Sequence, residues 1–216
     1  MKIQNIHDPF PLIVIDNHYN EDQLDLIWKE IDYFTHPSRM KSSEVSDQRL
    51  DDSAKDPDTG KTLKNNYVVW LDDVFHDREQ SNILRNVVID PKILINHGHW
   101  YFNCRTVEKY YTQLLYYQNG NEYRPHFDVS VYTSLTWLYK EPKAFTGGDL
   151  IFPEFDTKIE LEYNRTVVFP GPLLHQATPI DMEGSELNGL GRYCISQFFI
   201  PKDNTRINHA DHGRVK

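Results

Sequence analysis

The 216 residues suffice for one domain with a substantial buried core, and 39% hydrophobic with 13% aromatic residues marks a globular chain. The formal charge of −9 disfavours nucleic acid and anionic membrane as partners, because an acidic chain gains little from counterion release. Two cysteines, Cys104 and Cys194, make no disulfide framework; no run approaches the ~18 apolar residues of a membrane span, and residues 1–8 lack a signal peptide's apolar run. The expectation is a soluble cytoplasmic protein with no membrane partner.

In chain order, Phe10 to Asp16 (FPLIVID) reads as a strand. Asn20 can cap a helix, and Leu24, Ile27, Trp28 and Ile31 recur at helical spacing, so an amphipathic helix is expected over about 21–34. From about 36 to 66, Ser, Asp, Lys, Pro and Gly dominate, which predicts a long surface loop, either solvated padding or a lid. Tyr67 to Leu71 (YVVWL) reads as a buried strand, Asp77 to Val88 as a helix, and Asp90-Pro91 as a break. Residues 1–105 thus form a mixed helical and strand half that supports the C-terminal half.

From about 107 the texture changes to short β runs: 110–118, 123–127, 132–139, 149–152, 158–161, 166–169, 173–177 and 193–200. Turn chemistry separates them at Asn119-Gly120-Asn121, Lys140-Glu141-Pro142, Gly147-Gly148, Tyr163-Asn164 and Pro170-Gly171-Pro172. Short strands without intervening helices indicate a sandwich or barrel. The expected architecture is a single domain, mainly β with N-terminal helices (α+β), with a double-stranded β-helix (jelly-roll or cupin-like) core over 107–201 and a polar tail over 202–216. His209 and His212 in that tail read as solvated.

The chemistry centres on His126-Phe127-Asp128. Residues two apart on a strand share a face, so this imidazole and carboxylate can grip one metal ion from one side. A second imidazole from a distant strand, for which His175 is the candidate, would complete a 2-His-1-carboxylate face with open positions opposite, as in non-haem Fe(II) oxygenases. His36, His76, His97 and His99 read as structural, since none has a partner ligand at strand spacing. Asp72 and Asp73 are adjacent and so point apart; they read as caps or loop charges.

Other features surround the pair. In Arg192-Tyr193-Cys194-Ile195-Ser196, alternation puts Arg192, Cys194 and Ser196 on one face. An arginine facing a barrel interior needs an anion, either a ligand carboxylate or a protein acid such as Glu183 or Glu186. Of Tyr116 and Tyr117, one must face inward, as core packing or as a phenol near that anion. Gly147-Gly148 before a strand permits unusual backbone angles or close approach.

The order Tyr117 … Gly120 … Tyr123-x-Pro125-His126-x-Asp128 … Gly147-Gly148-x-Leu150-x-Phe152 … Phe169-Pro170 … His175-x-x-x-Pro179 … Gly191-Arg192-Tyr193-x-Ile195-Ser196 closely resembles the prolyl 4-hydroxylase-like Fe(II)/2-oxoglutarate-dependent dioxygenases. The resemblance covers about 110–201. It implies that His126, Asp128 and His175 ligate iron, that Arg192 holds the distal carboxylate of 2-oxoglutarate with help from Tyr117, and that Ser196 and Trp137 face the cosubstrate pocket. It also implies Fe(II), 2-oxoglutarate, O2 and ascorbate as cofactors, and hydroxylation of a prolyl residue in a peptide or a related small target, with release of succinate and CO2. Arginine stands where collagen-type members use lysine. The interval from His175 to Arg192 is longer than usual and reads as a loop insertion over 181–190. Three alternatives stand beside this: a non-catalytic binding module, a site for another metal such as zinc, and an oxygenase acting on a non-prolyl substrate. Substrate choice is expected to reside in the 36–66 loop and the 181–190 insertion.

Overall fold

The structure is a computed structural model that describes residues 1–36, 38–43, 55–56, 58–87, 89–103, 107–184 and 188–201. Its strands are β1 (Lys2–Ile6), β2 (Leu12–Asp16), β3 (Lys41–Ser42), β4 (Tyr67–Trp70), β5 (Val107–Tyr117), β6 (Tyr123–His126), β7 (Tyr132–Leu138), β8 (Phe145–Gly147), β9 (Leu150–Phe152), β10 (Thr157–Ile159), β11 (Arg165–Pro170), β12 (His175–Ala177), β13 (Ile180–Met182) and β14 (Arg192–Pro201). The helices are α1 (Glu21–Phe34), α2 (Leu71–Val74) and α3 (Pro91–Asn96).

The strands form an eight-stranded sheet ordered β1-β2-β11-β7-β14-β5-β4-β3, a four-stranded sheet ordered β10-β9-β12-β6, and a β13-β8 pair. Every pairing is antiparallel. The two larger sheets face each other, as a double-stranded β-helix requires. Leu12, Val14, Val68, Leu115, Trp137 and Val167 from the large sheet pack with Leu150 and Phe152 from the small one.

Both faces of the large sheet are buried. On the outer face, Ile27, Ile31 and Phe34 of α1 pack on Leu114, Tyr116, Leu138, Tyr193 and Ile195. Leu94 of α3 and Phe102 cover Ile13, Ile15, Val168 and Phe199. This double cover explains why β7 and β14 are buried almost throughout instead of on alternate residues. Burying Ile27 and Ile31 completely contributes ~1.5–3 kcal/mol each.

The expected helix over 21–34 matches α1, and its start is fixed as anticipated. The Asn20 side chain accepts from Gln23 N while Asn20 N donates to Gln23 Oε1, a reciprocal capping box.

The expected helix over 77–88 does not form. Arg78–Gln80 make one 3₁₀ turn, and irregular turns come after it. The cause is Glu30 on α1. Its carboxylate accepts from Ser81 Oγ at 2.6 Å and from the backbone of Asn82 and Ile83. Backbone donors captured by a charged acceptor hold this segment in its own turn geometry. The Asp90-Pro91 break is instead a start: Asp90 caps α3, with Pro91 in its first turn. Four strands were not expected: β1, β3, which falls inside the expected 36–66 loop, β8 and β13. The last two matter for the site. They pair with each other, so the expected 181–190 insertion begins as a strand. Glu186, His209, His212 and Cys104 lie outside the described residues, as does the lid reading for 44–54.

Strand β6 is the outermost strand of the small sheet. Residues 61–65 run antiparallel beside it: Lys64 bridges to Tyr123, Arg124 N donates to Leu63 O at 2.8 Å, and Glu122 N donates to Asn65 Oδ1 at 2.8 Å.

Candidate metal and cosubstrate site

His126 ends β6, and His175 begins β12. The antiparallel register sets them directly opposite each other. Their rings lie 4.2 Å apart, centroid to centroid. Asp128 sits just past the end of β6, where its N–H donates to Gly171 O at 2.9 Å. Its carboxylate lies 3.8 Å from His126 Nε2 and 3.5 Å from His175 Nε2. The three ligand atoms fall within 4.8 Å of one another, the only such cluster of metal-binding side chains among the described residues.

Each imidazole is aimed by its other nitrogen. His126 Nδ1 donates to Arg124 O and His175 Nδ1 to Leu173 O, both at 2.8 Å. A donating Nδ1 leaves the Nε2 lone pair directed at the centre. Tyr123 stacks on the His126 ring at 3.3 Å, and Phe169 meets His175 edge-on. Thr133 Oγ1 donates to Asp128 Oδ2 at 2.6 Å and is itself bonded to Ser130.

The electrostatics suit a cation. Burial, then the neighbouring His175, holds His126 well below the usual imidazole range, so it is neutral at pH 7. Burial alone would raise Asp128, but His175, His126 and the Thr133 hydroxyl outweigh it and hold the carboxyl at about 2. Two imidazole nitrogens and one carboxylate, converging from one side, fit an octahedral divalent iron with open positions opposite.

Deeper in the barrel, the inner faces of adjacent strands form a cradle. Arg192 opens β14 opposite Tyr117 on β5. It is 2% exposed, and its guanidinium lies 4.4 Å over the Tyr117 ring and 5.9 Å from that of Trp137. Arg192 Nε and Nη1 and Trp137 Nε1 are buried without hydrogen-bond partners. Glu183, one of the protein acids that might have answered Arg192, is exposed and does not. Burial pushes the Tyr117 phenol up, opposed by the guanidinium beside it. Gly148 makes room: a Cβ there would lie 2.9 Å from Arg192 Cδ. Ser196 is buried on the same face, but its hydroxyl meets Cys194 Sγ at 3.5 Å, one layer further along the strand from Arg192.

One cradle residue escaped the sequence reading. Asn66 precedes β4, fully buried, beside Tyr117. Its amide faces the phenol, yet neither Oδ1 nor Nδ2 makes a hydrogen bond of normal geometry. Assigned to a polar loop, it carried no signal; only the pairing of β4 with β5 brings it inside. Each unmet buried group costs about 1–3 kcal/mol. Several such groups in one cavity fit a bound anion with more than one acceptor.

Residues 112–200 match the family model of the 2OG-Fe(II) oxygenase superfamily, where 2OG is 2-oxoglutarate. That stretch, which holds His126, Asp128, His175 and Arg192, is thus similar to the 2OG-Fe(II) oxygenase superfamily. The superfamily implies Fe(II), 2-oxoglutarate and O2. Among solved structures, the fold is similar to a viral collagen prolyl hydroxylase from Paramecium Bursaria Chlorella virus-1, at 17% identity and TM-score 0.50, covering 87% of this chain and 94% of that one. It is similar to a Pseudomonas putida prolyl-4-hydroxylase, at 16% identity and TM-score 0.53, covering 88% and 92%. A 2OG-Fe(II) oxygenase family oxidoreductase from Burkholderia pseudomallei gives 14% identity and TM-score 0.55, covering 88% of each chain. No curated protein matches the chain. No described helix is long and apolar enough to cross a membrane.

Proposed function

We propose that the chain is a 2-oxoglutarate-dependent hydroxylase whose iron is held by His126, Asp128 and His175. The observation that carries this reading is the convergence of those three donors beside a cradle with unmet polar groups. In the cradle, Arg192 takes the distal carboxylate of 2-oxoglutarate, with Tyr117 against it; Asn66 and Trp137 offer further polar contacts, and Ser196 lines the wall. If bound there, the iron would let O2 act as the oxidant: one of its oxygen atoms would go into succinate as 2-oxoglutarate loses CO2, and the other into a C–H bond of the substrate.

The protein's own residues bind, orient and exclude water. Arg124 O and Leu173 O fix the two imidazoles, and Thr133 fixes one carboxylate oxygen. Phe152, Phe169 and Leu150 surround the site with apolar bulk. The substrate is a prolyl residue in a peptide or a related small target. Support comes from the ordered motifs around His126 and Arg192 and from the two prolyl hydroxylases that share the fold. Ascorbate is the accessory cofactor of this reading, and the cytoplasm its compartment, in keeping with a buried free Cys194.

The test is succinate formation from 2-oxoglutarate with Fe(II) and O2, scored with +16 Da products from a peptide library. Prolyl peptides should be converted by the wild type and not by His126→Ala. Full coupled turnover by His126→Ala would refute the metal assignment, and products confined to non-prolyl carbons would refute the substrate.

A further inference from the structure

A second concave feature lies next to the candidate metal face and takes no part in the cradle. A cavity of about 520 Å³ is lined by Lys61, Thr62, Leu63, Lys64, Asn65, Glu122 and Arg124. Three of those side chains are cationic and one is anionic, in a chain whose overall charge is −9. The composition of this wall is therefore opposite to that of the molecule.

Local pairing builds it. Residues 61–65 lie along the outer edge of β6, so that cations from two antiparallel segments face one space. Arg124 is anchored by Nη2 donating to Thr62 O at 3.1 Å, with Asp56 3.9 Å from Nη1. That spacing to Asp56, on a guanidinium 42% exposed, is a loose contact that leaves the planar fork able to take a second carboxylate. Lys64 is 4% exposed, so its ammonium acts through protein and is weakly screened.

The basic wall lies close to the site. Lys64 Nζ lies 5.8 Å from the centroid of the Tyr123 ring, and that ring stacks on His126. One aromatic ring separates the basic wall from a candidate iron ligand. Arg124 is two residues from His126 on the same strand. A group held in the cavity would leave the rest of its molecule beside the metal face.

We propose that this cavity is a substrate subsite that binds a carboxylate of the molecule to be oxidised. The assignment rests on the 2-oxoglutarate oxygenase reading of the metal site and names the substrate class: an acid-bearing one. A single carboxylate suits the cavity better than a phosphate chain. Glu122 stands in the wall and would repel extended polyanions, and the volume falls in the range of small-molecule sites. The carboxylate can come from an acidic side chain of a peptide or from a free small acid.

Direct binding tests it without turnover. Rhodamine-labelled triglutamate and triglutamine peptides are titrated with the full chain, loaded with Mn(II) and 2-oxoglutarate, in 150 mM salt (roughly physiological screening), and followed by fluorescence anisotropy. Triglutamate is expected to bind at least about tenfold tighter, equivalent to ~1.4 kcal/mol. The exposed pair Lys61→Gln/Arg124→Gln should erase that difference while leaving the circular dichroism spectrum and melting temperature as in the wild type. Displacement by N-acetylglutamate would identify a free acid as sufficient, and a requirement for the peptide would identify an acidic chain. Equal binding of both peptides, or an unchanged preference in the folded double variant, overturns the proposal. Should the wild type bind triglutamate selectively yet form no succinate with any substrate, the oxygenase reading fails and the anion site stands.

Discussion

Replacing Arg192 by methionine should have two effects of opposite sign. In the free protein the guanidinium is 2% exposed, with Nε and Nη1 unpartnered, so it carries a desolvation penalty that only Tyr117 and Trp137 offset. Exchanging such a buried charge for an apolar side chain of similar volume stabilises by ~1–4 kcal/mol. Arg192→Met is therefore expected to melt at or above the wild-type temperature when cosubstrate is absent. Cosubstrate should then reverse the order. At a 2-oxoglutarate concentration of 100 Kd the wild type gains ~2.7 kcal/mol, or roughly 5–11 °C for a chain of this size. Loss of the buried ion pair weakens binding by ~2–4 kcal/mol, so at that same concentration the variant gains less than ~1 kcal/mol. Differential scanning fluorimetry with Mn(II), with and without 2-oxoglutarate, reads both numbers. A variant that melts several degrees lower without cosubstrate and keeps its full shift would show that Arg192 is a structural cation and refute the reasoning. Asn66→Leu is the companion: it should leave the free protein as stable or more so and weaken 2-oxoglutarate binding by ~0.5–1.5 kcal/mol.

The geometry supports two more expectations. His18, bonded to Thr166 Oγ1 at 2.6 Å, is lowered by burial from 6.5 to about 4. A depressed imidazole makes its full contribution to stability above the unfolded value and loses it as pH falls from 6.5 toward 4. Between pH 7.5 and pH 5 the wild type should lose ~2 kcal/mol through this group; urea titrations should show His18→Gln losing that much less, and parallel slopes would exclude the assignment. Gly148 has φ +81°, and a Cβ there would sit 2.7 Å from Ile180 Cδ1 and 2.9 Å from Arg192 Cδ. Gly148→Ala should cost at least ~1–2 kcal/mol in backbone strain and also raise the Kd for 2-oxoglutarate by displacing the Arg192 stem; calorimetry showing native affinity would contradict the second part.

How much was legible depended on sequence distance. The capping box at Asn20 and Gln23 and the helix it starts are local, and the apolar spacing declares them. His126 and Asp128 are two residues apart, so their shared direction is a property of any extended segment. His175 could be named only as a candidate until the resemblance added its role, because its position opposite His126 is set by pairing between strands far apart in the chain. Asn66 was hidden for the same reason, with the added disguise of a polar neighbourhood. The 77–88 segment misled because a carboxylate on another element, Glu30, takes its backbone donors. Gly147-Gly148 read as a turn, which concealed that Gly147 ends β8 and pairs with Ile180.

The strip formed by residues 61–65 has a second job beyond lining a cavity. The strand that bears His126 has a bare flank, and that strip is what occupies it. An uncovered flank of this kind is a template for unwanted pairing with another chain. Any change in the strip that alters which molecules enter will also alter how well the flank is shielded. Selectivity and solubility are thus tied to the same five residues, and variants sought for new substrates are best screened for aggregation in the same experiment.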